Sequence, residues 1–180
     1  MDACNGIDTP LPIALKHITP ETPEKTPSYP YANVRGCIRY LVSCTRPNIC
    51  FATNFLSRHM HNPSPLHVMY LKGLLCYLKR TSGLSLTYKY NPSNFCLLGY
   101  SEADWGGDPS TCQSTSGYLF LLANGAVSWQ SKKKTRVTLS STEAKYSSMT
   151  LAIKEGIWLN TLLKESTLLI PPPISLYCDN

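Results

Sequence analysis

The spacing of apolar residues changes at Gly83 from a helical period to a two-residue period. That change limits the chain to a helical segment followed by a mixed α/β segment. Before it, Val34, Cys37, Ile38 and Leu41 recur at helical spacing over residues 31–44. Pro47, behind Thr45, opens a second helix with Ile49, Ala52, Phe55, Leu56 and Met60 on one face. Ser64-Pro65 repeats the start signal for a third helix. Its stripe is Val68, Leu71, Leu75 and Leu78, and Gly83 stands where a terminating glycine belongs.

After Gly83, Leu84, Leu86, Tyr88 and Tyr90 alternate, as in a half-buried strand. Further strands are expected over 95–105, 116–122 and 126–131, with Asn124-Gly125 as the hairpin turn between the last two. Ser141 or Thr142 caps a long helix running to about Leu163, with Tyr146, Met149, Ile153 and Ile157 as its inner face. Pro171 to Pro173 break the chain, and residues 174–178 form a last strand. The expected fold class is α/β: a helical N-terminal segment, three antiparallel strands, a long helix and a parallel strand. The expected domains are a Pro-rich arm over 1–30, a helical segment over 31–83 and a sheet domain over 84–180.

The 180 residues carry a net charge of +6, mild enough to permit a polyanionic partner without demanding one. No run of 18 apolar residues is present, and the N-terminus lacks the basic and apolar regions of a secretory signal. The expectation is an intracellular protein, cytoplasmic or nuclear, with no membrane partner. Eight cysteines occur with no CxxC spacing, so reduced and buried thiols are expected rather than a zinc site. His59-x-His61 has no further ligand at metal spacing and is taken as a solvated helix end.

Acidic residues are scarce, so their positions carry weight. Glu102, Asp104 and Asp108 fall at the end of the first core strand, Glu143 at the start of the long helix and Asp179 at the end of the last strand. Carboxylates so placed can converge at one end of a sheet and bind hard divalent cations. The same residues also serve as ordinary caps and solubilising groups.

Residues 98–146 contain GYSEADW, STSGY, VSWQSKK and LSSTEA, and CDN follows at the end of the chain. These segments, in this order, resemble the RNase H domain of copia-type retrotransposon Pol polyproteins. TRPNICFATNFLSRHMHNPSPLH, followed by LKGLLCYLKRTSG, resembles that family's connection between reverse transcriptase and RNase H. MDACNGIDTPL resembles a segment near the end of the polymerase.

The resemblance implies two-metal hydrolysis of RNA in an RNA–DNA hybrid during reverse transcription, with Mg²⁺ as cofactor. It places the family's first aspartate at Glu102, its helix glutamate at Lys145 and its third carboxylate at Asp179. A fourth carboxylate lies beyond the matched residues, so a truncated copy is expected. Glu102 adds a methylene, moving the carboxylate by about 1.5 Å, an error that can cost about 10²-fold in rate. Lys145 puts a cation where a carboxylate would face the metals. The expectation is an RNase H relative inactive in this copy, with Glu102 and Asp179 as surviving ligands.

Lys132, Lys133, Lys134 and Arg136 form the densest basic run, expected as a loop that either contacts phosphates or is simply solvated. Trp105, Trp129 and Trp158 are expected in the core rather than stacking on bases. Expected partners are an RNA–DNA hybrid or other nucleic acid, and an intact polymerase subunit. Two other readings are a non-catalytic nucleic-acid-binding remnant and a truncated product without function.

Overall fold

A computed structural model of the chain describes residues 5–12, 15, 29–89, 96–108, 110–167 and 172–179. It divides into two compact units, Met1–Ser85 and Leu86–Asn180. Most of the Pro-rich arm, including all but Tyr29 and Pro30 of residues 16–30, lies outside the described residues.

The first unit contains α1 (Tyr31–Cys44), a 3-10 turn (Pro47–Ile49), α2 (Cys50–Ser57) and α3 (Pro65–Arg80). α1 buries Tyr31, Arg35, Ile38 and Val42, so only Ile38 of the expected stripe faces inward. Tyr31 fixes that rotation: its hydroxyl donates 2.8 Å to the Leu56 carbonyl at the end of α2. Burial raises the Tyr31 phenol to about 12, with Arg35 opposing. Ile49, Ala52, Phe55 and Leu56 are buried as expected, but α2 stops at Ser57, short of Met60.

Ser64 caps α3 through a reciprocal pair of bonds with His67. Val68, Leu71, Leu74 and Tyr77 line the inner face of α3. The helix ends at Thr81, not at Gly83, because Arg46 reaches across to it. The guanidinium donates 2.8 Å to the Thr81 carbonyl and also bonds the Thr81 hydroxyl, supplying the donors that a helix C-terminus lacks.

In the second unit a four-stranded sheet runs in the order β3-β2-β1-β4, with β1 Leu98–Ala103, β2 Thr115–Leu122, β3 Gly125–Lys133 and β4 Ser175–Cys178. β1 pairs antiparallel with β2, and β2 with β3, while β4 runs parallel to β1. The parallel pair requires a crossover, supplied by α4 (Ser141–Thr167). The mixed α/β class, with three antiparallel strands, a long helix and a parallel strand, agrees with the expectation from sequence.

Local details differ from it. Residues 84–89 form no strand. Lys89 donates 2.8 Å to the Ala123 carbonyl and the Tyr88 hydroxyl 2.8 Å to the Ala126 carbonyl, so this segment caps the β2–β3 hairpin instead of joining a ladder. Tyr90 and Phe95 lie outside the described residues. The hairpin turns on Ala123 and Asn124, both with positive φ. Gly125 already belongs to β3, where a Cβ would run into the Tyr88 ring. Ser140, not Ser141 or Thr142, caps α4: its hydroxyl accepts 3.1 Å from the Glu143 amide.

The expected inner face of α4 is overturned. Ala144, Ser148, Ala152, Gly156 and Leu159 are buried, whereas Tyr146, Ile153 and Ile157 are exposed and Met149 is half-buried. The helix lies so close to the sheet that small residues fit beneath it and large ones do not. Gly156 shows the fit: a Cβ there would sit 3.2 Å from Phe120 Cζ. The core cluster is Leu97, Phe120, Ala152 and Leu159.

Trp105 and Trp158 are exposed and Trp129 is half-buried, so the core expectation fails for the first two. Trp105 lies outward because its indole N–H donates 3.2 Å to the Thr138 carbonyl in a surface loop. Among the described residues no cysteine is in a disulfide, but Cys37, Cys44, Cys112 and Cys178 are exposed rather than buried. His59 stacks on His67 with ring centroids 3.7 Å apart.

Candidate functional site

One small pocket lies at the end of the sheet, where β1, β4 and α4 meet. It is lined by Ser101, Glu102, Ala103, Lys145, Ser148, Cys178 and Asp179. The register brings the carboxylates there. Ser101 pairs with Cys178 across the parallel ladder, so the next residues, Glu102 and Asp179, follow side by side. α4 brings the lysine. Lys145 precedes Ser148 by three residues, one helical turn, on the same side. Ser148 is pinned to the strand end: its hydroxyl donates 2.6 Å to the Glu102 carbonyl and lies 3.1 Å from Ser101 Oγ. A further 3.2 Å contact reaches the Gly117 carbonyl on β2.

The structure thus gathers Glu102, Lys145 and Asp179 and leaves the other acidic residues elsewhere. Asp104 accepts from the Thr115 amide and holds the β1–β2 ladder closed. Glu143 accepts 2.7 Å from the Leu139 amide at the start of α4. Asp108 is buried and paired with Lys133. Burial alone would push its carboxyl up, but bonds from Lys133 and Ser110 outweigh burial and hold it well below the usual carboxylate range.

That pairing has a pH consequence. A depressed folded value means Asp108 stabilises the fold above its unfolded value of about 3.9, and that contribution drains away as pH falls toward the folded value. Asp108→Asn should cost about 1–3 kcal/mol at pH 7, and about 1 kcal/mol less near pH 3, where the unfolded chain but not the folded one is protonated at this position. The three tryptophans all lie in the second unit, so denaturant titrations followed by their fluorescence read this unit directly. An equal penalty at both pH values would contradict the pairing.

The basic run is divided. Lys132 and Lys133 belong to β3 rather than to a loop. Lys133 is held by Asp108. Lys134 donates 2.7 Å to the Ala144 carbonyl, and burial lowers its pKa against the opposing charges of Glu143 and Asp104. Lys132 and Arg136 are exposed. Sequence reading did not single out Ser101 and Ser148 for the site. The spacing of Ser148 one turn after Lys145 was the available signal.

The pocket's ionisable groups are two carboxylates and one ammonium. Among the described residues no group of three or more His, Cys, Asp or Glu side chains is placed to hold a metal ion. The donor set does not fit a pair of divalent cations. At an effective dielectric of about 20, an ammonium about 5 Å from a divalent ion is repelled by roughly 7 kcal/mol.

No family model matches the chain, and no solved structure matches it. The chain is 44% identical over 130 residues to the secreted RxLR effector protein 161 of Plasmopara viticola, covering 72% of this chain and 91% of that protein. It is 38% identical over 186 residues to the retrovirus-related Pol polyprotein from transposon TNT 1-94 of Nicotiana tabacum, covering 100% of this chain and 14% of the polyprotein. It is 39% identical over 150 residues to the corresponding polyprotein from transposon RE1 of Arabidopsis thaliana, covering 83% of this chain and 10% of the polyprotein. The chain therefore spans a small part of the Pol polyproteins and nearly the full length of the effector.

Proposed function

Since the chain belongs to the family of copia-type retrotransposon Pol polyproteins, we propose that its second unit is an RNase H-like domain that no longer hydrolyses RNA. The observation that carries this reading is Lys145, which lines the same pocket as Glu102 and Asp179. The ancestral reaction needs carboxylates that gather two Mg²⁺ ions at a phosphodiester. With an ammonium among them, the pocket repels what the reaction requires. Glu102 compounds the loss, because its longer side chain misplaces the carboxylate that remains. Glu143 offers no substitute, since its carboxylate is bonded to the Leu139 amide.

The test is cleavage of a labelled RNA–DNA hybrid by the purified 180-residue chain, with Mg²⁺ and separately with Mn²⁺. No cleavage above background is expected. A Lys145→Glu, Glu102→Asp double variant, assayed in parallel, shows whether these two positions hold the defect. Metal-dependent cleavage by the unaltered chain would falsify the proposal.

A further inference from the structure

We propose that Ser64 and His67 form a proton-operated latch that closes the α2–α3 junction while His67 is neutral and releases it in mild acid. Ordinary capping boxes carry Glu or Gln at the third helical position. Here a histidine holds that position, so the cap depends on a group that titrates near neutral pH. The Ser64 amide donates 3.1 Å to His67 Nδ1, and the His67 amide donates 3.3 Å to Ser64 Oγ. Ser64 Oγ also lies 2.9 Å from Nδ1 and serves there as the donor, since its lone pair already takes the His67 amide. Nδ1 thus faces two donors, which it meets only through its lone pair, with the ring proton on Nε2. A second ring proton would occupy that lone pair and set N–H against N–H.

The surroundings close over this nitrogen. His67 is only 7% exposed. His59 covers its ring, with centroids 3.7 Å apart and planes 15° from parallel, and Phe55 meets His59 edge-on at 5.6 Å. Three elements meet there: the end of α2, the 58–64 turn and the start of α3. At the end of α2, Arg58 lies with its guanidinium 5.8 Å from the Phe55 centroid, and a neighbouring cation disfavours a second one. The turn brings the exposed His61, and α3 brings the buried Tyr70, one turn after His67. The unit's described carboxylate, Asp8, is bonded to Arg80 at the far end of α3. Pro63 and Pro65 flank Ser64 and carry no amide hydrogen, so the Ser64 amide reports the latch directly.

The sign of the pH dependence follows. An unlatched His67 takes up a proton near the ordinary histidine value of about 6.5. A latched one does so only by giving up both bonds at Nδ1. The open form therefore binds a proton that the closed form refuses. The latch's contribution is complete above about pH 7 and drains away as pH falls below about 6.5. One refused proton raises opening about tenfold between about pH 7.5 and about pH 5.5.

The test is hydrogen exchange of the full chain, read by NMR at the Ser64 and His67 amides. Rates are expressed as protection factors, so the pH dependence of the chemical exchange step cancels. Protection should fall about tenfold from about pH 7.5 to about pH 5.5. His67→Gln supplies the ordinary Ser-x-x-Gln box and should keep its protection at both pH values. His59→Phe keeps a ring over His67 and should leave the tenfold response in place. Protection at Ser64 that does not change with pH in the unaltered chain would overturn the proposal. So would a tenfold response that survives in His67→Gln. An equal loss of protection throughout α4 would also overturn it, because acid would then be loosening the whole chain rather than one junction.

Discussion

Lys145→Glu should make the melting of the second unit depend on divalent cations, where the unaltered chain is indifferent to them. The substitution places a third carboxylate in the pocket that Glu102 and Asp179 already line. In EDTA the three repel one another. Glu102 and Asp179 are exposed and Lys145 half-buried, so solvent screens most of that repulsion and the cost is about 1 kcal/mol. That corresponds to a fall of about 4–8 °C for a unit of this size.

Adding Mg²⁺ or Mn²⁺ should more than reverse it. At a hundred times its dissociation constant a cation returns about 2.7 kcal/mol. In the unaltered chain the ammonium already balances one carboxylate, and no rise is expected. Melting followed by tryptophan fluorescence, with and without the metal, reads both proteins in the same unit. A cation-dependent rise in the unaltered chain would mean that Lys145 swings clear of the pocket and leaves the two carboxylates to bind.

The same pocket shows which parts of the design the sequence carries openly. Glu102, Lys145 and Asp179 are far apart in the chain, and no periodicity relates them. That Glu102 and Asp179 can converge was legible from their places at strand ends, whereas Lys145 joined them only through the family motifs around it. The strand order then delivers it, since a parallel β1–β4 pair in register brings two strand ends together. Strands β2 and β3 and the boundaries of α1 were legible from local pattern alone. The 84–89 segment was not, because alternation shows that side chains take turns facing a surface, not that the backbone has a free ladder to join. The basic run read as one patch because sequence shows charge without partners. Asp108 takes Lys133, and the Ala144 carbonyl takes Lys134. Arg35 is the converse case: it is absent from the apolar stripe expected for α1, yet it is buried.

The deepest misreading concerns α4, and it leads to a pair of substitutions with opposite expected outcomes. A hydrophobic stripe at helical spacing normally marks the buried face, which would make Ile157 a core residue and Ser148 a surface one. The structure reverses them. Ile157 is 61% exposed, while Ser148 is 1% exposed. Ser148 sits where α4 crosses β1 and β2, and its hydroxyl lies within bonding distance of the Glu102 and Gly117 carbonyls and of Ser101 Oγ.

Ser148→Leu should therefore remove those bonds and force added carbon atoms into a crossing with no room for them. The expected cost is about 3–5 kcal/mol, the sum of overpacking and of buried carbonyls left unpaired. Ser148→Ala removes only the bonds and should cost about 1–2 kcal/mol. Ile157→Ser should stay within about 0.5 kcal/mol of the unaltered chain, as surface substitutions do. Urea titrations followed by tryptophan fluorescence give all three values. Were Ile157→Ser the more damaging change, α4 would pack on its large apolar face. The pocket would then lose the helical turn that carries Lys145 to it.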